Sequence, residues 1–248
     1  MRAIAITLAL VLLAAPALAQ DKLPKKDWDE LMKVYDARAE LDKHREAVAG
    51  ASTLAKVYPA DKELQVFCAM TSYYCAHRLL EREKEKKKVA LLGLACAQRI
   101  LKANPKDYDG RFWASMTSFK SRSADGIKAA LKEANKIKKY LEELQQDEPN
   151  RFEAYMLLGT LYRELPPVLT WGNPKKGLEM LLKSASLAPD DPEVLLELAA
   201  AHAKMGDKVN ARATYQKCIN GSKAPKNRSW EPEDANAYAR KMLKKLDD

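Results

Sequence analysis

The chain has 248 residues, 47% of them hydrophobic and 31% charged, with 43 Lys and Arg against 34 Asp and Glu for a formal net charge of +9. Ala, Leu, Lys and Glu dominate and only nine Gly occur, which favours helices, and no alternating strand pattern is present, which excludes a sheet-based fold. Beyond the N-terminal leader no stretch is apolar enough to cross a membrane, and the lysines are interleaved with glutamates, so the basic balance does not by itself point to nucleic acid or lipid.

Residues 1–20 read as an export signal. Arg2 supplies the positive start, Ala3 to Ala15 the apolar stretch, and Pro16 with Ala17-Leu18-Ala19 the small-residue cleavage site. The mature chain then begins at Gln20 or Asp21. Without a Cys at that point it is expected to be non-lipidated, soluble and periplasmic or secreted, and export removes nucleic acid from the candidate partners.

The remaining chain divides into a helical-repeat domain over residues 21–230 and a closing helix over 231–248. Asp27 to Leu41 is the first predicted helix, with Trp28, Leu31, Val34 and Tyr35 on one side, and Lys43 to Val57 the second. Glu63 to Leu80 and Val89 to Lys102 form the next pair, separated by the run Arg82-Glu83-Lys84-Glu85-Lys86-Lys87-Lys88, which reads as a solvated loop or helix end. Asp109 to Arg122 pairs with Gly126 to Leu144, Phe152 to Glu164 with Pro174 to Ala188, and Pro192 to Lys204 with Val209 to Asn220. Proline opens two of these helices, where its missing N–H costs nothing. The last helix, Glu231 to Leu246, carries Ala235, Tyr238, Ala239, Met242, Leu243 and Leu246 on one side and reads as a cap.

The pairs repeat. Pro59, Pro105, Pro149 and Pro189 lie 46, 44 and 40 residues apart, each closing a helix. Phe67-x-x-Met70-Thr71-Ser72-Tyr73 returns as Trp113-x-x-Met116-Thr117-Ser118-Phe119. A period of this size marks a stacked helical array. In the last pair Leu195, Leu198, Ala199, His202, Gly206, Ala211, Tyr215 and Cys218 stand at tetratricopeptide packing positions. The fold class is therefore all-α, a TPR-like right-handed solenoid of about five hairpins plus a capping helix. Small residues let the paired helices approach and Gly206 lets the chain turn. Gly206→Leu is expected to unfold the fifth pair by blocking that approach. The aromatics of the first helices are mostly core, but Tyr73 and Phe119 are candidates for an inner groove, with Ser72 and Ser118 as polar handles.

One pair is interrupted by Leu165-Pro166-Pro167-Val168-Leu169-Thr170-Trp171-Gly172-Asn173-Pro174. Two prolines cannot continue a helix. Val168, Leu169 and Trp171 are read either as a loop folded back over the stack or as an apolar lip over a ligand cleft. This insertion, followed by Leu178-x-x-Leu181-x-x-Ser184-Ala185-x-x-Ala188-Pro189, resembles the T-component family of TRAP transporters, the TatT-like proteins. The resemblance implies an exported scaffold that associates with a periplasmic solute-binding protein of a TRAP-type transporter and holds an apolar small molecule in a cleft, as a homo-oligomer. From the repeats alone, a general envelope protein-interaction module is the alternative.

Four Cys in an exported chain allow three complete pairings. Cys68 and Cys75, roughly 10 Å apart along one helix, cannot join. Cys75 with Cys96 is the candidate disulfide if the hairpin turns near residues 82–88, although the repeat register speaks against it. Cys218 reads as a buried thiol. His44, His77 and His202 show no metal-ligand spacing, and no nucleotide, nucleophile or zinc motif occurs. No metal, no cofactor and no catalytic residue are expected, and the chain is read as a non-enzyme.

Overall fold

The structure, a computed structural model, describes residues 22–38, 40–78, 82–168, 170–223 and 231–247. The expected leader and Leu169 lie outside these residues. Among the described residues every regular element is a helix: α1 (Lys25–Asp36), α2 (Leu41–Val57), α3 (Lys62–Arg78), α4 (Glu83–Ala103), α5 (Tyr108–Ser123), α6 (Ile127–Asp147), α7 (Phe152–Glu164), α8 (Pro174–Leu187), α9 (Pro192–Lys204), α10 (Lys208–Gly221) and α11 (Glu231–Asp247).

Helix starts follow local chemistry. Asp107 accepts from Gly110 N at 2.9 Å, Asn173 from Lys176 N at 3.1 Å, and Asp191 from Glu193 N and Val194 N at 3.0 and 3.1 Å. Each carboxylate or amide satisfies donors that the first turn would otherwise leave open. Pro174 and Pro192 stand in the first turns of α8 and α9. The four repeat prolines sit in the turns that lead from an even helix into the next odd one. The charged run at 82–88 joins the start of α4 rather than forming a loop.

Consecutive helices pack on one another from α1 to α11, and odd helices also touch the next odd one, α3 on α5, α7 on α9 and α9 on α11. That contact pattern is the winding of a TPR-like solenoid, with the odd helices on its inner wall. The core is segmented to match. One cluster joins Leu31, Tyr35, Phe67 and Met70; another joins Phe112, Ile137, Leu158 and Tyr162. The cap α11 buries Ala235 and Ala239 against Leu195, Tyr215 and Cys218, while Tyr238 faces outward.

Two hairpins pack closely through glycine, and one of them carries a covalent bond as well. In α7/α8 a Cβ on Gly159 would stand 2.6 Å from Leu181 Cγ and 2.9 Å from the Gly177 carbonyl oxygen, so only hydrogen fits. Gly206 is not such a contact. It has φ of 79° with open space around it, so a leucine there opposes the left-handed backbone, not helix approach. In α3/α4 a disulfide joins Cys68 to Cys96, with Cα atoms 6.2 Å apart. This corrects the Cys75–Cys96 pairing. Because α4 begins at Glu83, the hairpin turns earlier than residues 82–88, and Cys75 meets Val89 and Ala90 instead. Cys75 and Cys218 are buried thiols.

Candidate functional site: the concave cleft

The inner wall encloses two cavities of about 740 and 190 Å³ that share Val66, Met70 and Asp109, and so form one continuous cleft. Its outer end lies between α1 and α3, beside Trp28, Met32 and Phe67. Its inner end lies among α3, α5, α7 and α9, where Trp113, Met116, Phe152 and Met156 form the walls. Thioethers adapt to irregular apolar surfaces, and the aromatic rings give them a firm backing.

Tyr74 and Glu193 face each other across the inner end. The tyrosine hydroxyl donates to Glu193 Oε2 at 2.7 Å, although the two residues are 119 positions apart. The superhelix thus closes over its own groove. Around the floor, Lys62 reaches Asp107 and Asp109 at 2.8 and 2.9 Å, and Arg151 reaches Asp109 and Glu153 at 3.0 and 2.8 Å. Burial alone would raise Asp109, but the hydrogen bonds from Lys62 and Arg151 outweigh it and hold the carboxyl below its usual range. Further along, Arg163 clasps Glu197 at 2.7 Å, joining α7 to α9.

Lys120 Nζ donates to His77 Nδ1 at 2.8 Å and lies 5.4 Å from the Tyr73 ring centre. Lys120 is half-buried, and the loss of hydration, with Lys86 nearby, lowers it to about 8 against the pull of Glu193 and Glu197. The same desolvation, together with Lys120 and Lys86, lowers His77 to about 4, even though the residue is exposed at the surface. Tyr73 is pushed upward by burial and by Glu193 and Glu197.

The expected site residues are distributed unevenly. Tyr73 stacks its edge on Tyr74 and tilts against Trp113 beside the cleft. Phe119 is half-buried in the core cluster around Phe112 and Ile137. Ser72 is fully buried and faces α4, where a Cβ on Gly93 would come within 2.7 Å of its own Cβ, so it offers the groove no hydroxyl. Ser118 bonds Glu133 of α6. Trp171 lies edge-on to Tyr162, ring centres 4.8 Å apart, and its Nε1 donates to Asn135 Oδ1 at 2.7 Å. Val168 is 92% exposed, and neither it nor Trp171 lines the cleft. Leu169 lies outside the described residues.

Sequence reasoning missed Val66, Met70, Met156, Tyr74 and Glu193 as lining residues. A signal was present. Glu63, Asp109, Glu153 and Glu193 each stand four residues after a repeat proline, and Val66, Phe112 and Met156 seven after. All seven line the cleft.

These features define the chain as a TPR-like helical-repeat protein with a lined inner cleft. It belongs to the family of regulator of microtubule dynamics proteins 1–3, whose family model matches residues 27–247. That finding overturns the resemblance to the TRAP T-components. The insertion and following helix that suggested it are explained by the Asn173 cap, Pro174 in the first turn and the Gly159–Gly177 contact, which any tightly packed helical repeat can share. No curated protein matches the sequence. Among solved structures, a thermophilic TPR protein of Thermus thermophilus aligns with a TM-score of 0.60 at 19% identity, over 86% of this chain and 98% of that one. MamA of AMB-1 aligns with a TM-score of 0.35 at 16% identity, over 77% of this chain and 94% of that one, a likeness too loose to carry weight. Among the described residues no helix is long and apolar enough to cross a membrane.

Proposed function

We propose that this chain is a non-enzymatic scaffold that holds an elongated segment of a partner protein in its concave cleft. The observation that carries this is the continuous Met- and aromatic-lined cleft of the inner wall, the surface on which stacked helical arrays present binding sites. Its apolar floor supplies burial energy and its charged rim supplies orientation. A photo-crosslinking residue at Met116 tests the reading in extract from the source cell. The expected result is a discrete protein adduct that a control residue at Tyr140, exposed on α6, does not form; equal labelling at both positions overturns it.

The setting is proposed to be outside the cytosol. The leader pattern of residues 1–20 and the Cys68–Cys96 disulfide support export, since such bonds persist in oxidising compartments. N-terminal sequencing of protein from the source cell should begin at Gln20 or Asp21; an intact Met1 defeats this setting.

Family membership favours a second reading, in which the chain acts on microtubules as the family description says of its members. The net charge of +9 suits an acidic polymer surface. Co-sedimentation with microtubules that weakens with salt supports it, and an export-cleaved chain rules it out.

A further inference from the structure

We infer that the cleft receives an extended partner segment carrying a lysine or arginine at about every third residue, with apolar residues between. This rests on the scaffold reading above and names the chemistry of its ligand.

The first ground is repetition. Each of four repeats places a carboxylate at the second residue of its odd helix: Glu63 in α3, Asp109 in α5, Glu153 in α7 and Glu193 in α9. The helix dipole favours acids in a first turn. It does not explain the difference between the walls. On the outer wall α2 and α4 carry first-turn acids, while α6, α8 and α10 carry none. On the inner wall the acid returns at one fixed position in four successive helices, and that position lines the cleft.

The second ground is charge. The lining holds these four carboxylates and Asp61 against three cations, Lys22, Lys62 and Arg151, in a chain whose net charge is +9. Lys62 and Arg151 both reach Asp109, and Arg151 also reaches Glu153, so the two cations act as stitches between neighbouring repeats and the surplus negative charge falls to Asp61, Glu63 and Glu193. The cleft is therefore negative inside a positive protein. An acidic segment would be repelled there and a basic one drawn in.

The third ground is spacing. Helices in direct contact lie about 8–10 Å apart, and α3 and α5 are in contact. A partner segment in the polyproline II form rises about 3.1 Å per residue with three residues per turn, so every third side chain faces the same wall. One step of the carboxylate ladder thus spans about three residues of ligand. Between steps, Val66, Phe112 and Met156 repeat one helical turn further in, with Met70 and Met116 beyond them, to receive apolar side chains. Trp28 and Trp113 also line the cleft, and an indole ring can attract a cation.

The test uses the purified chain and three fluorescein-labelled peptides of twelve residues: Lys-Leu-Ala repeated, an isomer with its lysines gathered at one end, and Glu-Leu-Ala repeated. Fluorescence anisotropy should show the spaced basic peptide binding at least tenfold more tightly than its isomer, and the acidic peptide not at all. Glu63→Gln, an exposed site, and Glu153→Gln should each weaken binding about threefold with helicity unchanged. Equal affinity for the two basic isomers, unchanged affinity in both variants, or no binding of the basic peptide overturns the inference. An acidic peptide that binds, and binds less tightly to the Met116→Glu variant, also overturns it, yet leaves the scaffold reading standing. That reading falls separately, through the Met116 cross-linking result.

Discussion

Hairpins α3/α4 and α7/α8 both pack through a glycine, but only one of them is also bonded covalently. The first adds a covalent bond, Cys68 to Cys96, to a close contact of Gly93 with Ser72, and the second relies on absent atoms alone, at Gly159 and Gly177. A disulfide acts mainly by restricting the unfolded chain, so its benefit is set by the loop it closes and vanishes on reduction. A glycine contact acts only in the native state, where it permits dispersion contacts that a methyl group would forbid. The two hairpins should therefore answer differently to redox conditions and alike to side-chain volume added at their glycines.

The largest effect is expected at the glycine contact. Gly159→Val should cost about 4 kcal/mol, because Leu181 and the Gly177 backbone cannot both withdraw. Denaturant unfolding should give the same loss with and without reductant, and a loss under about 1 kcal/mol would show that the hairpin can open at no penalty. Next, Cys68→Ala should cost about 3 kcal/mol in oxidising buffer and almost nothing in reductant. The distance between these variants and the two glycines makes their effects additive; strong coupling would mean that the array unfolds through a shared interface.

Trp171→Ala sharpens the α7/α8 side. The ring covers Tyr162 and is held by Asn135, so its loss should lower stability by about 2 kcal/mol while leaving peptide affinity at the cleft unchanged. An affinity loss without destabilisation would restore the insertion as a binding lip. Gly206→Leu should cost about 1 kcal/mol through its positive φ. A loss several times larger would show that the site is crowded after all.

The smallest effect belongs to neither clasp. Lys120 falls to about 8 in the folded chain from an ordinary value of 10.5. Between those values the unfolded chain binds more protons, so stability rises with pH across that window, and the penalty of burying the charge is fully present below it. Lys120→Met should therefore stabilise by about 1 kcal/mol at neutral pH, discounted for residual solvent contact, and by nothing near a pH of about 11. It should also raise the His77 titration, followed by NMR, above about 4, since Lys120 contributes to that depression. A gain independent of pH would mean that the lysine acts through packing alone.

The sequence shows the hairpins clearly because their ends are written in local chemistry: prolines in the turns, Asp and Asn at the caps, Pro174 and Pro192 in first turns. It shows α6 well, since Ala134, Ile137, Leu141 and Leu144 make one buried stripe. It does not show which side of α3 lines the cleft. Leu64, Phe67, Met70, Ala69 and Ala76 are buried on different sides of that helix, because α2, α4 and α5 surround it. A helix apolar all round has no period from which to read a facing. The disulfide is hard to read for a related reason: a run of alternating charges can end a helix or begin one, and two or three residues of turn position change which cysteines stand level. The insertion leaves two readings open because Trp171 and its flanking prolines suit a ligand lip as well as a loop folded back over the stack, and its partners Tyr162 and Asn135 are remote in sequence.

The bond between Tyr74 and Glu193 turns a trench into a loop of protein. A trench admits any segment laid along it, even one with bulky folded domains on either side. A loop admits only what is threaded from a free end, unless the clasp first parts. A single hydrogen bond to a charged group contributes about 2 kcal/mol, so the clasp yields readily. A partner that offers a free terminus should therefore load faster than one that offers the same residues from the middle of a chain, and it should leave faster by the same factor.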